Sequence, residues 1–275
     1  MNHATNLRKL LKKGIVVLPG SFNAISAMAI KNAGFKACYI SGAGLTNSLA
    51  GKPDIGILSR EEVVQHAKYI VDAVKIPCIG DGDTGFGGPE QTAKTVIAFE
   101  KIGLAGFHIE DQRWPKRCGH LPGKEIITKG LMVKKIKASV KARKKDFLII
   151  ARTDARGVKG FEESVDRANA YLDAGADMIF PEALQSKQEF GRFAKEVDGM
   201  LLANMTEFGK TPYISVGEFK KMGYNAVIFP MTLFRMAMKP MDEALRVLKK
   251  EGSQKRLLSK MQTRKELYQL INYKY

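Results

Sequence analysis

The feature that most restricts the fold of this chain is an alternation. Short apolar runs recur at residues 15–19, 37–41, 76–81, 106–111, 147–153, 178–182, 201–206 and 226–230. Amphipathic segments separate them, among them "SREEVVQHAKYIVDAV", "GPEQTAKTVIAFEKIG", "GFEESVDRANAYLDAG" and "SVGEFKKMG". Short continuous apolar strands imply burial on both faces, as in a parallel sheet. Eight strand–helix units in 275 residues predict an α/β fold, a (β/α)8 TIM-type barrel forming one domain over 1–275. A doubly wound sheet is the alternative, but no Gly-x-Gly-x-x-Gly follows the first strand. Gly34, Gly103, Gly175 and Gly223 close helical patterns, and Ser59 with Glu61 and Glu62 opens one. Roughly 45 helical-looking residues follow the eighth run. A barrel needs one closing helix, so 241–275 reads as a C-terminal helical extension that packs on a neighbouring subunit.

Polar residues gather where the apolar runs stop. The second ends in Ser41-Gly42-Ala43-Gly44, and the third in "GDGDTGFGG" with Asp81 and Asp83. The fourth ends in His108, Glu110 and Asp111, the fifth in Arg152-Thr153-Asp154 and the sixth in Glu182. Asn204, Thr206 and Glu207 close the seventh, and Arg235 follows the eighth. In a barrel these ends form one face, where active sites are built.

Acids from three strands (Asp81 and Asp83, Glu110, Glu182) would repel one another without a cation. Hard carboxylate oxygens suit Mg²⁺, with Mn²⁺ as the alternative. "DGDTGFGGPEQT" lacks the later ligands of an EF-hand loop. The four histidines form no pair at helical spacing, which disfavours zinc. Arg152, Arg235 and Arg264 supply forks for carboxylates. A divalent cation with several arginines points to a small polycarboxylate substrate.

The chain has three cysteines, an odd number at wide spacing, which fits a reducing compartment rather than a disulfide framework. Cys38 and Cys78 sit in apolar runs and read as inert core thiols. Cys118 stands in "QRWPKRCGHLPG", a proline- and glycine-bearing connection of the kind that forms lids. Lys116, Arg117 and His120 are expected to lower its pKa toward thiolate. It is a candidate nucleophile or proton donor.

The formal net charge of +17 raises the question of nucleic acid. The densest basic run, "KKIKASVKARKK" at 134–145, carries Val133, Ile136 and Val140 at helical spacing and reads as a solvated outer helix face. With no zinc finger, aromatic RNA-binding motif or basic tail, a nucleic-acid partner is not expected. No run of eighteen apolar residues suggests a membrane span, and "GIVVLPG" reads as a strand rather than a leader. A cytoplasmic location is expected.

The motifs "GDGDTGFGG", "HIEDQ", "PKRCGH", "ARTDA", "FPEA", "ANMTEFG" and "MQTRKELYQLINY" occur in order along the chain. Together they resemble the isocitrate lyase/phosphoenolpyruvate mutase superfamily, in its short 2-methylisocitrate lyase branch. The resemblance runs from about Leu10 to the C-terminus. It implies a magnesium-dependent carbon–carbon lyase of the methylcitrate cycle, which degrades propionate, and a homotetramer with exchanged C-terminal helices. Within it, Asp81, Asp83, Asp54 and Glu110 correspond to the Mg²⁺ side. Ser41, Gly42 and Ala43 correspond to a loop whose N–H groups hold a pyruvyl carboxylate. Ala43 departs from the usual glycine but keeps its N–H. Arg152 corresponds to the pyruvyl-end arginine. Gly119, His120, Asn204, Thr206 and Arg235 correspond to residues holding succinyl carboxylates. Glu182 and Arg264 correspond to substrate-linked positions. Cys118 is the expected proton donor and Tyr39 the candidate base. Phe180, Ile228 and Pro230 are expected to wall the substrate methyl. A 2,3-dimethylmalate lyase and a carboxyphosphonoenolpyruvate-type mutase are the alternatives within the superfamily.

Overall fold

A computed structural model describes residues 2–144 and 146–274, so Met1, Lys145 (the end of the basic run) and Tyr275 lie outside the described residues. Eight parallel strands close into a barrel in sequence order. They are β1 (Val16–Ser21), β2 (Cys38–Ile40), β3 (Cys78–Asp81), β4 (Gly106–Glu110), β5 (Leu148–Thr153), β6 (Met178–Pro181), β7 (Met200–Asn204) and β8 (Ala226–Phe229). The helices are α1 (His3–Lys13), α2 (Ala24–Asn32), α3 (Gly42–Ala50), α4 (Arg60–Val74), α5 (Pro89–Lys101), α6 (Lys129–Ala142), α7 (Phe161–Asp173), α8 (Lys187–Glu196), α9 (Val216–Met222), α10 (Thr232–Glu251) and α11 (Arg264–Leu270). The barrel expectation holds. Among the described residues no helix is long and apolar enough to cross a membrane.

Strand pleating sorts each apolar run into two cores. Ile79, Leu148, Ile150, Met178, Phe180, Leu202, Ala226 and Ile228 pack inside the barrel. Their neighbours Cys78, Ile149, Ala151, Ile179, Leu201, Ala203 and Val227 pack outward with the helix faces. The alternation follows from side chains pointing to opposite faces with period 2. Cys38 and Cys78 are buried in the outer core with Sγ atoms 3.2 Å apart, and both are free.

The expected helix ends are built as read. Ser59 and Glu62 form a reciprocal capping box. Gly34, Gly103, Gly175 and Gly223 take φ of +90°, +90°, +99° and +92° after their helices. Helix α1, which the sequence analysis does not anticipate, is capped by Asn2. Its Leu7 and Leu11 join the inner core and plug the barrel end away from the site. The basic run departs from a fully solvated face at Lys135. That side chain is buried, and its Nζ donates to the Thr84 carbonyl at 2.8 Å. Helix α10 runs unbroken across residue 241 with Pro240 inside it.

Candidate active site

The pleat that fills the barrel also builds the site. On β5 the inward positions run Leu148, Ile150, Arg152. On β6 they run Met178 and Phe180 and continue to Glu182, and on β7 Leu202 leads to Asn204. The inward-facing positions thus turn from apolar to polar at the C-terminal strand ends. A cavity of about 220 Å³ opens there. Tyr39, Ser41, Ala43, Asp54, Asp81, Cys118, Gly119, His120, Arg152, Glu182, Asn204, Thr206 and Arg235 line it, with Phe180, Ile228 and Pro230. Gly42 lies directly behind, where an added Cβ would fall 2.5 Å from Asp81 Oδ2. Helix α3 begins there with Ser41 as its cap. Intrahelical bonding leaves the Gly42 and Ala43 N–H groups unused, a setting suited to an anion.

Arg264 is not brought to this cavity. It opens α11, exposed on the surface, so a role at substrate would require a second copy of the chain.

The acids cluster on one side. Gly82 turns the chain tightly against β4, since a Cβ there would meet the His108 carbonyl at 2.7 Å. The turn lets Asp83 N donate to Asp81 Oδ1 at 3.0 Å, and Glu110 N to Asp83 O at 2.9 Å. Lys116 Nζ enters this group from the lid, 2.6 Å from Asp54 Oδ1 and 2.5 Å from Asp83 Oδ1. Burial alone would lower the Lys116 pKa, but Asp83, Asp54 and Glu110 hold it well above the usual lysine value. Burial would raise Asp81, yet His108, Lys116 and Arg152 outweigh it and keep that carboxyl well below its ordinary range. Asp83 is pushed up to about 6 by burial, which Lys116 only partly offsets. Glu110 is raised well above the usual value by burial, against Arg152 and Lys116.

Among the described residues, no three or more His, Cys, Asp or Glu side chains already form a metal cluster. The donor set nevertheless fits a hard divalent cation. Both Glu110 carboxylate oxygens are buried without a hydrogen-bond partner, although Arg152 lies beside one of them. Oxygen-only ligands of this kind match Mg²⁺ rather than a softer metal.

The opposite side is cationic. Arg152 Nε lies 3.2 Å from Glu110 Oε2 and 2.9 Å from Asp154 Oδ2, and its guanidinium covers the Phe180 ring at 5.1 Å. His120 Nδ1 accepts from Lys210 N at 3.0 Å, which leaves the proton on Nε2, 2.9 Å from Glu182 Oε1. Glu182 would be raised by burial, but Arg152 and His120 hold it well below its usual value. Asn204 Nδ2 donates to Glu182 Oε2 at 3.3 Å. Arg235 is half-exposed at the rim, its guanidinium 5.3 Å from the Phe208 ring centroid.

Two sequence expectations change. Cys118 is exposed as a residue, but its thiol faces the cavity, and burial there raises its pKa rather than lowering it. The ammonium expected to favour thiolate is committed to Asp54 and Asp83 instead. The shift favours the S–H form of Cys118, the form that can donate. Tyr39 OH donates to Asp81 Oδ2 at 3.1 Å, and burial with Asp81 raises its pKa well above the phenol value. A phenol so held is a donor, which argues against Tyr39 as base.

The sequence singles out Lys116, His108 and Asp154 without their partners in this arrangement, and does not single out Lys124. His108 and Asp154 sit in recognised strand-end motifs. The inward parity of His108, buried beside Tyr39 with Nε2 2.8 Å from its hydroxyl, was a usable signal. The direction of the lid lysines had none.

The family model described as phosphoenolpyruvate phosphomutase matches residues 7–249. The chain belongs to the phosphoenolpyruvate mutase/isocitrate lyase superfamily. Its sequence is 52% identical over 268 residues to a 2-methylisocitrate lyase of Aeropyrum pernix, covering 97% of this chain and 86% of that protein. A crystal structure of 2,3-dimethylmalate lyase superposes with a TM-score of 0.94 at 39% identity, covering 98% of this chain and 92% of that one. A phosphonopyruvate hydrolase in complex with oxalate and Mg²⁺ superposes at 0.89 with 27% identity, covering 99% of this chain and 95% of that one. A protein of the same fold is thus known with oxalate and Mg²⁺.

Proposed function

We propose that this chain is a magnesium-dependent lyase that cleaves 2-methylisocitrate to pyruvate and succinate. The observation that carries this reading is that the Cys118 thiol and the Asp81 carboxylate line one cavity, with Arg152 also in its wall. A proton donor, a carboxylate receptor and a metal-type acid cluster therefore meet around a space of small-molecule size. The 52% identity to a 2-methylisocitrate lyase supports the choice of substrate.

Asp81, Asp83, Asp54 and Glu110 would hold Mg²⁺. When bound, the ion supplies positive charge that acidifies the substrate hydroxyl. Arg152 and the Gly42 and Ala43 N–H groups bind the pyruvyl carboxylate. His120, Asn204, Thr206 and Arg235 hold the succinyl carboxylates, and Gly119 admits them by having no side chain. Glu182 orients His120 and Asn204. As the hydroxyl proton passes to water, C2 becomes the pyruvate carbonyl and the C2–C3 electron pair passes to the succinyl carbon. The cations around the cavity stabilise the dianion. The Cys118 S–H bond then breaks as the new C–H bond forms on that carbon. Phe180, Ile228 and Pro230 face the extra methyl, worth about 1–3 kcal/mol of discrimination against isocitrate.

Exposed Met241, Leu245, Leu248, Leu258 and Met261 support a homotetramer in which the 241–275 extension exchanges between subunits. In that arrangement Arg264 meets substrate across the interface. The free cysteines support a cytoplasmic location.

The similarity to 2,3-dimethylmalate lyase makes that substrate the competing reading. The test is turnover with Mg²⁺ of 2-methylisocitrate, read as pyruvate and succinate, of isocitrate, read as glyoxylate and succinate, and of 2,3-dimethylmalate, read as pyruvate and propionate. Highest kcat/KM on 2-methylisocitrate is expected. Faster turnover of dimethylmalate would overturn the assignment.

A further inference from the structure

Lys124 lies on the lid six residues beyond Cys118, yet its side chain is only 2% exposed. An ammonium is buried at such cost only where it is paired. Its Nζ donates to Asp154 Oδ1 at 2.7 Å and also to the Gly119 carbonyl oxygen. The same Asp154 carboxylate accepts from Arg152, at 2.9 Å from Nε and 3.2 Å from Nη2. One carboxylate therefore grips both the lid and the arginine of the cavity wall. Asp154 has no freedom to follow the lid, because its own N–H donates to the buried Asp111 at 2.8 Å. Neither Lys124 nor Asp154 lines the cavity, so neither can act on substrate directly.

We propose that Lys124 is a positioning residue: latched to Asp154, it fixes the Gly119 carbonyl, and so the adjoining Cys118 thiol, relative to Arg152. This rests on the lyase reading for its kinetic consequence but not for its structural one. On the other side of Cys118 the lid is held by Gln112, whose Nε2 donates to Arg117 O at 2.8 Å and whose Oε1 accepts from Arg117 N at 3.0 Å. Cys118 is thus suspended between two attachments. Releasing the Lys124 side lets the thiol drift while Arg152 stays paired with Asp154 and Glu110. Proton delivery suffers most, because His120 keeps its own anchors at Lys210 N and Glu182 and the rest of the substrate site stands on the barrel.

The test compares wild type, Lys124→Met and Lys124→Arg by hydrogen-exchange mass spectrometry and by steady-state kinetics on 2-methylisocitrate with Mg²⁺. In Lys124→Met, amides of 116–123 should exchange roughly tenfold faster with the β6 and β7 peptides unchanged. Its kcat should fall roughly 10- to 100-fold with KM nearly constant. Lys124→Arg, which keeps the charge and donors, should recover much of both. If Lys124→Met does not fold, Lys124→Gln replaces it with the same expected pattern. Unchanged lid exchange overturns the latch. Faster exchange with unchanged kcat, or a rise in KM alone, overturns the positioning role. Absence of turnover in wild type would count against the lyase reading, while lid exchange would still decide the latch.

Discussion

Lys116 Nζ lies 2.5 Å from Asp83 Oδ1, so a cation of the lid rests within the acid cluster of the barrel rim. It also reaches Asp54, and its side chain is 2% exposed. The lid is thereby joined to the same carboxylates that suit a divalent cation.

Replacing Lys116 by Met should destabilise the metal-free chain, because buried acids lose their counter-ion. Breaking a buried pair in this way costs about 3–5 kcal/mol. Mg²⁺ should then raise the melting temperature more in the variant than in wild type, since no ammonium competes for the acids. Thermal unfolding with and without Mg²⁺ checks both. An equal Mg²⁺ shift in the two proteins would contradict the competition.

Cys118→Ser should lower kcat by roughly 10²- to 10⁴-fold, the usual scale for a proton donor. Burial raises the Cys118 pKa, so the donating S–H form persists to higher pH than for a free thiol. The alkaline limb of kcat should accordingly fall above about 8.5, the ordinary thiol value. A limb assigned to Cys118 that lies below neutrality would favour thiolate and refute the donor role.

Asp81→Ala removes the acceptor for Tyr39 OH and for Asp83 N together. Activity should drop at least ~100-fold and weaken Mg²⁺ binding in calorimetry, as loss of a charged metal-side group does. Full activity regained simply by adding Mg²⁺ would limit Asp81 to affinity.

Gly119→Ala tests the seating of the lid. The new Cβ would fall 2.4 Å from Glu182 Cγ and 2.5 Å from Arg152 Nη2. Those side chains are buried and mutually paired, so the lid must rise. We expect kcat to fall roughly 100-fold with melting temperature little changed. Normal kcat would mean that the lid seats differently during turnover.

Much of this architecture is legible in the chain itself. Eight apolar runs point to a parallel sheet because such strands are buried on both faces, and eight strand–helix units in this length suit a closed barrel. The strand-end polar residues define the active face because all parallel strands point one way. The period-2 pleat even tells which residues look inward: with Phe180 in the core, Glu182 faces the cavity. Helix α1 is hard to read from the chain because its few leucines, at Leu7, Leu10 and Leu11, stand in a strongly basic context. The departure of Lys135 from the solvated face depended on a carbonyl, that of Thr84, supplied 51 residues away.

What the sequence by itself determined is the fold, the family and the barrel face on which the polar residues gather. What only the tertiary structure decided is the state and partner of each ionisable group. Lys116, beside Cys118 in the chain, was expected to make a thiolate. In space it pairs with Asp54 and Asp83, and burial raises the thiol pKa instead. Arg264 likewise carries the chemistry of a carboxylate fork but lies away from the cavity of its own chain. The physical reason is common to both. Charge–charge interactions and desolvation depend on distances through space, and neighbours along a loop need not be neighbours across a site.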